Sequence, residues 1–114
     1  MKEILEELNK EVGVIGCLVV TPDGMVVASA LKPSLDQDAV AALASRMIHS
    51  VQQAMGLLGE NKTDKFFVNS SYGRILFFDI EIAYLAVVTH QNIDIEQTLI
   101  AVKAAAYKIT HRRA

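Results

Sequence analysis

The chain has 114 residues and a mass of 12.5 kDa, room for one domain spanning residues 1–114 and not for two. Apolar residues make up 52% and charged residues 21%, which excludes disorder, and a net charge of −2 offers no cationic field to nucleic acid or anionic lipid. A single Cys excludes an internal disulfide framework, no Cys/His grouping has zinc spacing, and no apolar run is long enough for a membrane span.

The first residues, Met1-Lys-Glu-Ile-Leu-Glu-Glu-Leu8, carry acids where a signal peptide is apolar, so a cytoplasmic protein with a reduced thiol is expected. Ile4, Leu5, Leu8 and Val12 recur at helical spacing and predict a short amphipathic helix ending near Gly13. Val14-Ile-Gly-Cys-Leu-Val-Val20 reads as a strand, and Met25-Val-Val-Ala-Ser-Ala-Leu31 as its return. Between them, Thr21-Pro22-Asp23-Gly24 is a turn in which Pro presets φ and Gly accepts the closing geometry. Ser34 and Gln37 have capping-box spacing, and the helix they would open runs to Leu58 and stops at Gly59. Three strands follow: Lys65–Ser70, Arg74–Asp79 and Tyr84–Thr89. Asn92 or Asp94 can cap a last helix whose core stripe is Ile95, Leu99, Val102, Ala106 and Ile109; Lys108, His111, Arg112 and Arg113 suit its negative end.

The order is therefore α-β-β-α-β-β-β-α. Short strand links demand antiparallel pairs, and strands apolar at nearly every position belong to a sheet covered on both faces. The expected fold class is α+β: a three-layer α/β/α domain with a five-stranded antiparallel sheet, the long helix on one face and the terminal pair on the other.

On the long helix, Val40, Leu43, Ala44, Met47, Ile48, Val51, Ala54, Met55 and Leu58 form an arc assigned to the sheet. Beside it runs a strip of Ala41, Ala42, Ser45, His49, Gln52 and Gly56 without Lys, Arg or Glu. The strip is either a low-charge solvent face or a contact with a second copy across a two-fold axis, where small residues let helices approach. Phe66-Phe67-Val68 is an apolar strand placed at a sheet edge, and such an edge is an aggregation hazard unless covered. One two-fold pairing of these strands would cover both edges and bring the two strips together.

Four stretches then carry a resemblance by their order and spacing: Gly13–Ser29 with its Thr-Pro-Asp-Gly turn, Ala41-Ala-Leu-Ala44, Gly73-Arg-Ile-Leu-Phe-Phe78 and Tyr84-Leu-Ala-Val-Val88. Together they resemble the Roadblock / dynein light-chain family, specifically its small bacterial and archaeal members. The resemblance implies a fold related to longin and profilin domains, and a homodimer with a continuous ten-stranded sheet. It also implies work on small Ras-like GTPases, whose hydrolysis or position some members control by realigning the GTPase's own groups. Other members are motor light chains or scaffold subunits, so a structural tether without effect on nucleotides is the alternative.

No chemistry competes with that reading. There is no Gly-x-x-x-x-Gly-Lys-Ser/Thr loop for a nucleotide, and no cofactor or metal is expected. His49, His90 and His111 fall on different elements, Cys17 sits inside a strand, and Asp79 with Glu81 marks a turn. Arg46, Arg74, Arg112 and Arg113 are better explained as surface cations than as an inserted arginine finger. The sequons Asn61-Lys-Thr63 and Asn69-Ser-Ser71 mean nothing without secretion. A small-molecule site would need polar groups converging in a cavity, and none is apparent. A non-enzymatic dimer is expected, with Ala41, Ala42, Ser45, His49, Gln52, Gly56, Phe66, Phe67 and Val68 at its interface. Ser45, Arg46, His49, Gln52 and Gln53 would face the partner.

Overall fold

In a computed structural model that describes residues 1–59, 63–71, 73–91 and 93–111, the elements follow the expected order. They are α1 (Lys2–Leu8), β1 (Val14–Val20), β2 (Val26–Ala30), α2 (Gln37–Leu57), β3 (Lys65–Asn69), β4 (Arg74–Asp79), β5 (Tyr84–Thr89) and α3 (Ile95–Thr110). The five strands form one antiparallel sheet in the order β2-β1-β5-β4-β3.

That order dictates where the helices lie. β2 and β3 are opposite edges of the sheet, so the segment joining them must cross its full width, about 19 Å for four strand spacings. The 21 residues of α2 make a helix about 31 Å long, which covers that distance in one pass. α1 leads into β1 and α3 leaves β5, and these strands are neighbours, so both helices settle together on the other face.

Period-two alternation divides the core between the faces. Leu18, Phe77 and Ala86 lie in one cross-strand row and, with Val20 and Tyr84, pack under Ala41, Ala44 and Ile48 of α2. Cys17, Leu76 and Val87 form the next row and pack with Val19, Phe78 and Leu85 under Leu5, Leu8, Val102, Ala105 and Ile109. β1 and β5 are therefore buried almost throughout, whereas β3 at the edge alternates exposed and half-buried.

Several local details differ from the sequence reading. α1 ends at Leu8 and not near Gly13, because the chain turns through residues 9–13 to enter β1. Ser34 does not cap α2: Asp36 does, accepting from the amides of Asp38 and Ala39, while Gln37 takes a hydrogen bond from Ser29 in β2. Asp94 caps α3 through the amide of Gln97; Asn92, Arg112 and Arg113 lie outside the described residues. Asn61 of the first sequon lies outside them too.

The largest difference concerns the roll of α2. Leu43 is 49% exposed, Leu58 is 77% exposed and Ala54 is exposed, whereas Ala41, assigned to the outer strip, is buried. The helix sets Ala41 and Ala44 beside Ile48 on a sheet face that already holds Phe77 and Tyr84, so that close approach at these points takes precedence over burying Leu43 and Leu58. Gly73 accepts a similar constraint at the β3–β4 turn, where a Cβ would run into the Thr89 carbonyl oxygen.

Phe77 is the pivot of the α2 face: fully buried, and stacked on Phe66 with centroids 4.4 Å apart and planes at 8°. Phe77→Ala is expected to cost about 3–5 kcal/mol by leaving a cavity between sheet and helix. Urea unfolding should show the lower midpoint with an unchanged slope.

Candidate functional site: the outward face of the long helix

Across α2, only Asp38 and Arg46 carry full charges. The side turned away from the sheet presents Ala42, Leu43, Arg46, His49, Gln53 and Leu57, all exposed. An isolated solvent face of this length would carry several lysines and glutamates.

The turn between β1 and β2 sits against the first half of this face. Gly24 has φ +93°, which lets the chain reverse between the strands, and the Thr21 amide donates to Met25 O at 2.9 Å. Ser45 donates its hydroxyl to Pro22 O at 2.6 Å, tying helix to turn. Between them opens a cleft of about 390 Å³ bounded by Asp23, Gly24, Asp38, Ala41, Ala42, Ser45 and Arg46. The Thr21 hydroxyl bonds the Asp23 carboxylate and, with a backbone amide and the nearby His49, holds its pKa below the ordinary value.

The anticipated residues therefore separate into groups. Ala42, Arg46, His49, Gln53 and Gly56 share the exposed surface. Ser45 is half-buried with its hydroxyl committed to the turn, and Gln52, although exposed, reaches the Tyr84 hydroxyl at 3.4 Å. Ala41 belongs to the chain's own core. Phe66 and Val68 point under α2, whereas Phe67 is half-exposed on the opposite face beside Phe78. What these three share is the backbone edge of β3, which pairs with β4 alone in the sheet.

Sequence reasoning missed Asp23 and Asp38 as borders of the site. The signal was Ser45: a hydroxyl on the flank of a packed helix requires an acceptor, and the nearby turn supplies it.

Elsewhere the titratable groups do structural work. Asp79 accepts from the amide of Glu81 at 2.7 Å, and Glu81 itself takes φ 78°, so this carboxylate pair shapes a turn. Among the described residues no cluster of His, Cys, Asp or Glu could hold a metal, and no helix is long and apolar enough to cross a membrane.

An antiparallel five-stranded sheet carrying one long helix on one face and the two terminal helices on the other defines an α+β domain of three layers. The profile of the Roadblock/LC7 domain matches residues 1–89, and the chain belongs to that family. Two uncharacterized proteins of Methanocaldococcus jannaschii are 32% identical over 106 residues, each alignment covering 93% of this chain and 93% of the relative. Among solved structures, Myxococcus xanthus MglB superposes with TM-score 0.87 at 17% identity over 96% of this chain and 84% of that one. A Roadblock/LC7 domain from Streptomyces avermitilis gives 0.85 at 17% identity over 96% and 93%. The gliding protein MglB of Thermus thermophilus gives 0.82 at 21% over 95% and 84%. These likenesses establish the fold.

Cys17, the chain's single cysteine, is buried and placed to be inert. Its thiol lies 3.3 Å from both Leu5 O and Asn9 Oδ1, and burial pushes its pKa up to about 12. Asn9 in turn donates to Ala30 O at 2.7 Å, so this small network ties the end of α1 to β1 and β2. A thiol with a raised folded pKa stabilises the fold at every pH below its unfolded value of 9.0 and loses that contribution as pH rises toward 12. Iodoacetamide should leave the folded protein unlabelled at neutral pH and label it in denaturant. Unfolding measured above pH 9 should show the native chain losing ground to Cys17→Ala as pH rises.

Proposed function

We propose that the chain works as a homodimer that binds a small Ras-like GTPase and modulates its GTP hydrolysis or its location, without contributing a catalytic group. Two features support the reading: an outer face on α2 that is nearly uncharged, and an edge strand, β3, that pairs with β4 alone among the described strands; a single two-fold axis would have to cover both. Antiparallel pairing of β3 with its mate, centred on Phe67, would set Lys65 opposite Asn69 and Phe66 opposite Val68. The lysines stay apart and the apolar residues meet. It would extend the sheet to ten strands and lay the two α2 helices side by side, with Ala42 and Gly56 permitting close approach. Membership of the Roadblock/LC7 family supports the regulatory role.

The partner surface in this reading is the rim left open beside the paired helices: Arg46, His49 and Gln53, with Asp23 and Asp38 across the cleft and Ser45 and Gln52 behind them. A surface of this kind acts by position. It holds a mobile segment of the GTPase in one of its existing arrangements, and the gain comes from the difference in affinity for the two states.

Two experiments test the reading. Light scattering should show that Ala42→Glu, which alters an exposed side chain, abolishes pairing through α2, because a carboxylate buried there without a partner costs several kcal/mol. Ser45→Glu is a poorer probe, since it also breaks the bond to Pro22. Purified protein should also bind a Ras-like GTPase of the same genome and change its GTP turnover, with binding weakened by Arg46→Ala and His49→Ala. Failure to bind any such GTPase in either nucleotide state overturns the proposal, and recovery of other proteins alone favours a scaffold.

A further inference from the structure

The second free edge of the sheet borders a polar cleft that the α2 reading does not use. Among the described strands β2 pairs with β1 alone, so about half of its backbone N–H and C=O groups face away from the sheet. The segment Met25–Leu31 holds no charged residue, and Met25 and Val27 are 64% and 45% exposed. Val27 is the extra residue of a bulge, since Val19 pairs with Ala28 and Val20 with Val26, and a bulge spoils further pairing at that point. From Ala28 to Ala30 the register is regular, and this half of the edge has no such guard. A strand edge left regular and uncharged is a template for another strand.

The cleft, about 420 Å³ in volume, lies along that regular half. Ser29, Ala30 and Leu31 bound it on the strand, and Lys2, Glu6 and Asn9 bound it as one stripe of α1. Lys32, just past the strand, and Gln37, the first residue of α2, complete its polar lining. Asn9 spends its side chain on Ala30 O and the Cys17 thiol. The Ser29 hydroxyl fills Gln37 Oε1, which leaves Gln37 its amide N–H groups to donate. Among the described residues Lys2, Lys32 and Glu6 belong to no ion pair. The cleft thus sets two ammonium groups and an amide donor against one carboxylate, in a chain whose net charge is −2. Local positive charge beside unpaired backbone selects an extended segment that is acidic. β2 itself carries no acid, so the same edge of a second copy is not the complementary strand.

We propose that the β2 edge and its cleft form a docking site for an extended acidic segment of another protein. The segment adds to the five-stranded sheet beside Ala28–Leu31 and places its carboxylates at Lys2, Lys32 and Gln37. Main-chain pairing supplies affinity, and the lysines supply the choice of sequence. The site shares no residue with the outward face of α2 or with β3, so it stands whether or not the chain pairs or binds a GTPase there.

The probe is a fluorescein-labelled peptide of about six residues that alternates valine with aspartate, titrated by anisotropy against the whole chain. It is expected to bind about tenfold tighter than the same peptide with lysine in place of aspartate, and to weaken as salt is raised. Lys2→Glu with Lys32→Glu should reverse that preference. Both side chains are exposed, so an unchanged urea midpoint shows the fold intact. Glu6→Gln should tighten the aspartate peptide. Methylating alternate backbone nitrogens of the peptide separates strand addition from plain charge attraction: one methylated set should bind as the parent does, and the other about tenfold more weakly. No saturable binding at millimolar peptide, equal binding of the two charge types, or full tolerance of both methylated sets overturns the inference. Tighter binding by a peptide copied from residues 25–31 of this chain assigns the edge to a second copy and overturns it too. None of these outcomes touches the α2 reading.

Discussion

A sheet whose inner strands are apolar on both faces cannot stand in water until each face is covered, and the remainder of this structure follows from that demand. β1, β5 and β4 supply Leu18, Ala86 and Phe77 to one side and Cys17, Val87 and Leu76 to the other. Burial of such rows is the dominant favourable term in folding a chain of this length. The pairing that brings the rows into register, β1 with β5, joins segments from opposite ends of the sequence. Local hairpins alone would leave two half-sheets with bare faces.

Covering the sheet with a chain this short constrains the helices. The only connection long enough to cross from edge to edge is α2, so one helix roofs an entire face. A single helix is narrower than the sheet it spans. It lies close by presenting Ala41 and Ala44 beside Ile48 and leaves two leucines, Leu43 and Leu57, at the margin. The apolar outer surface of α2 is thus partly a consequence of packing: residues displaced from the core by close approach become available to another molecule. On the reverse face, α1 and α3 share the roof and leave a seam between them.

The same packing settles where the polar groups go. Polar side chains near the outer surfaces are committed to the fold's own turns, Ser45 to Pro22 and Asp79 to Glu81, and the buried thiol is held neutral. What remains exposed is shape, a few charges and an unpaired strand edge.

Element types, their order and the antiparallel sheet were legible in the residues, because periodicity and turn chemistry are local properties: the Pro-Asp-Gly turn, the apolar run of β1 and the stripe of α3 each read directly. The family could be recognised for the same reason, since its signature is that order and spacing. Tertiary structure alone decided the roll of α2, which moved Ala41 inward and Leu43 outward. It chose Asp36 over Ser34 as the cap and set Asp23 beside the helix. Each of these depends on what lies across space at that point, the girth of Phe77 or the reach of a hairpin turn, and a one-dimensional pattern records the preference of a residue but not the neighbour that overrules it.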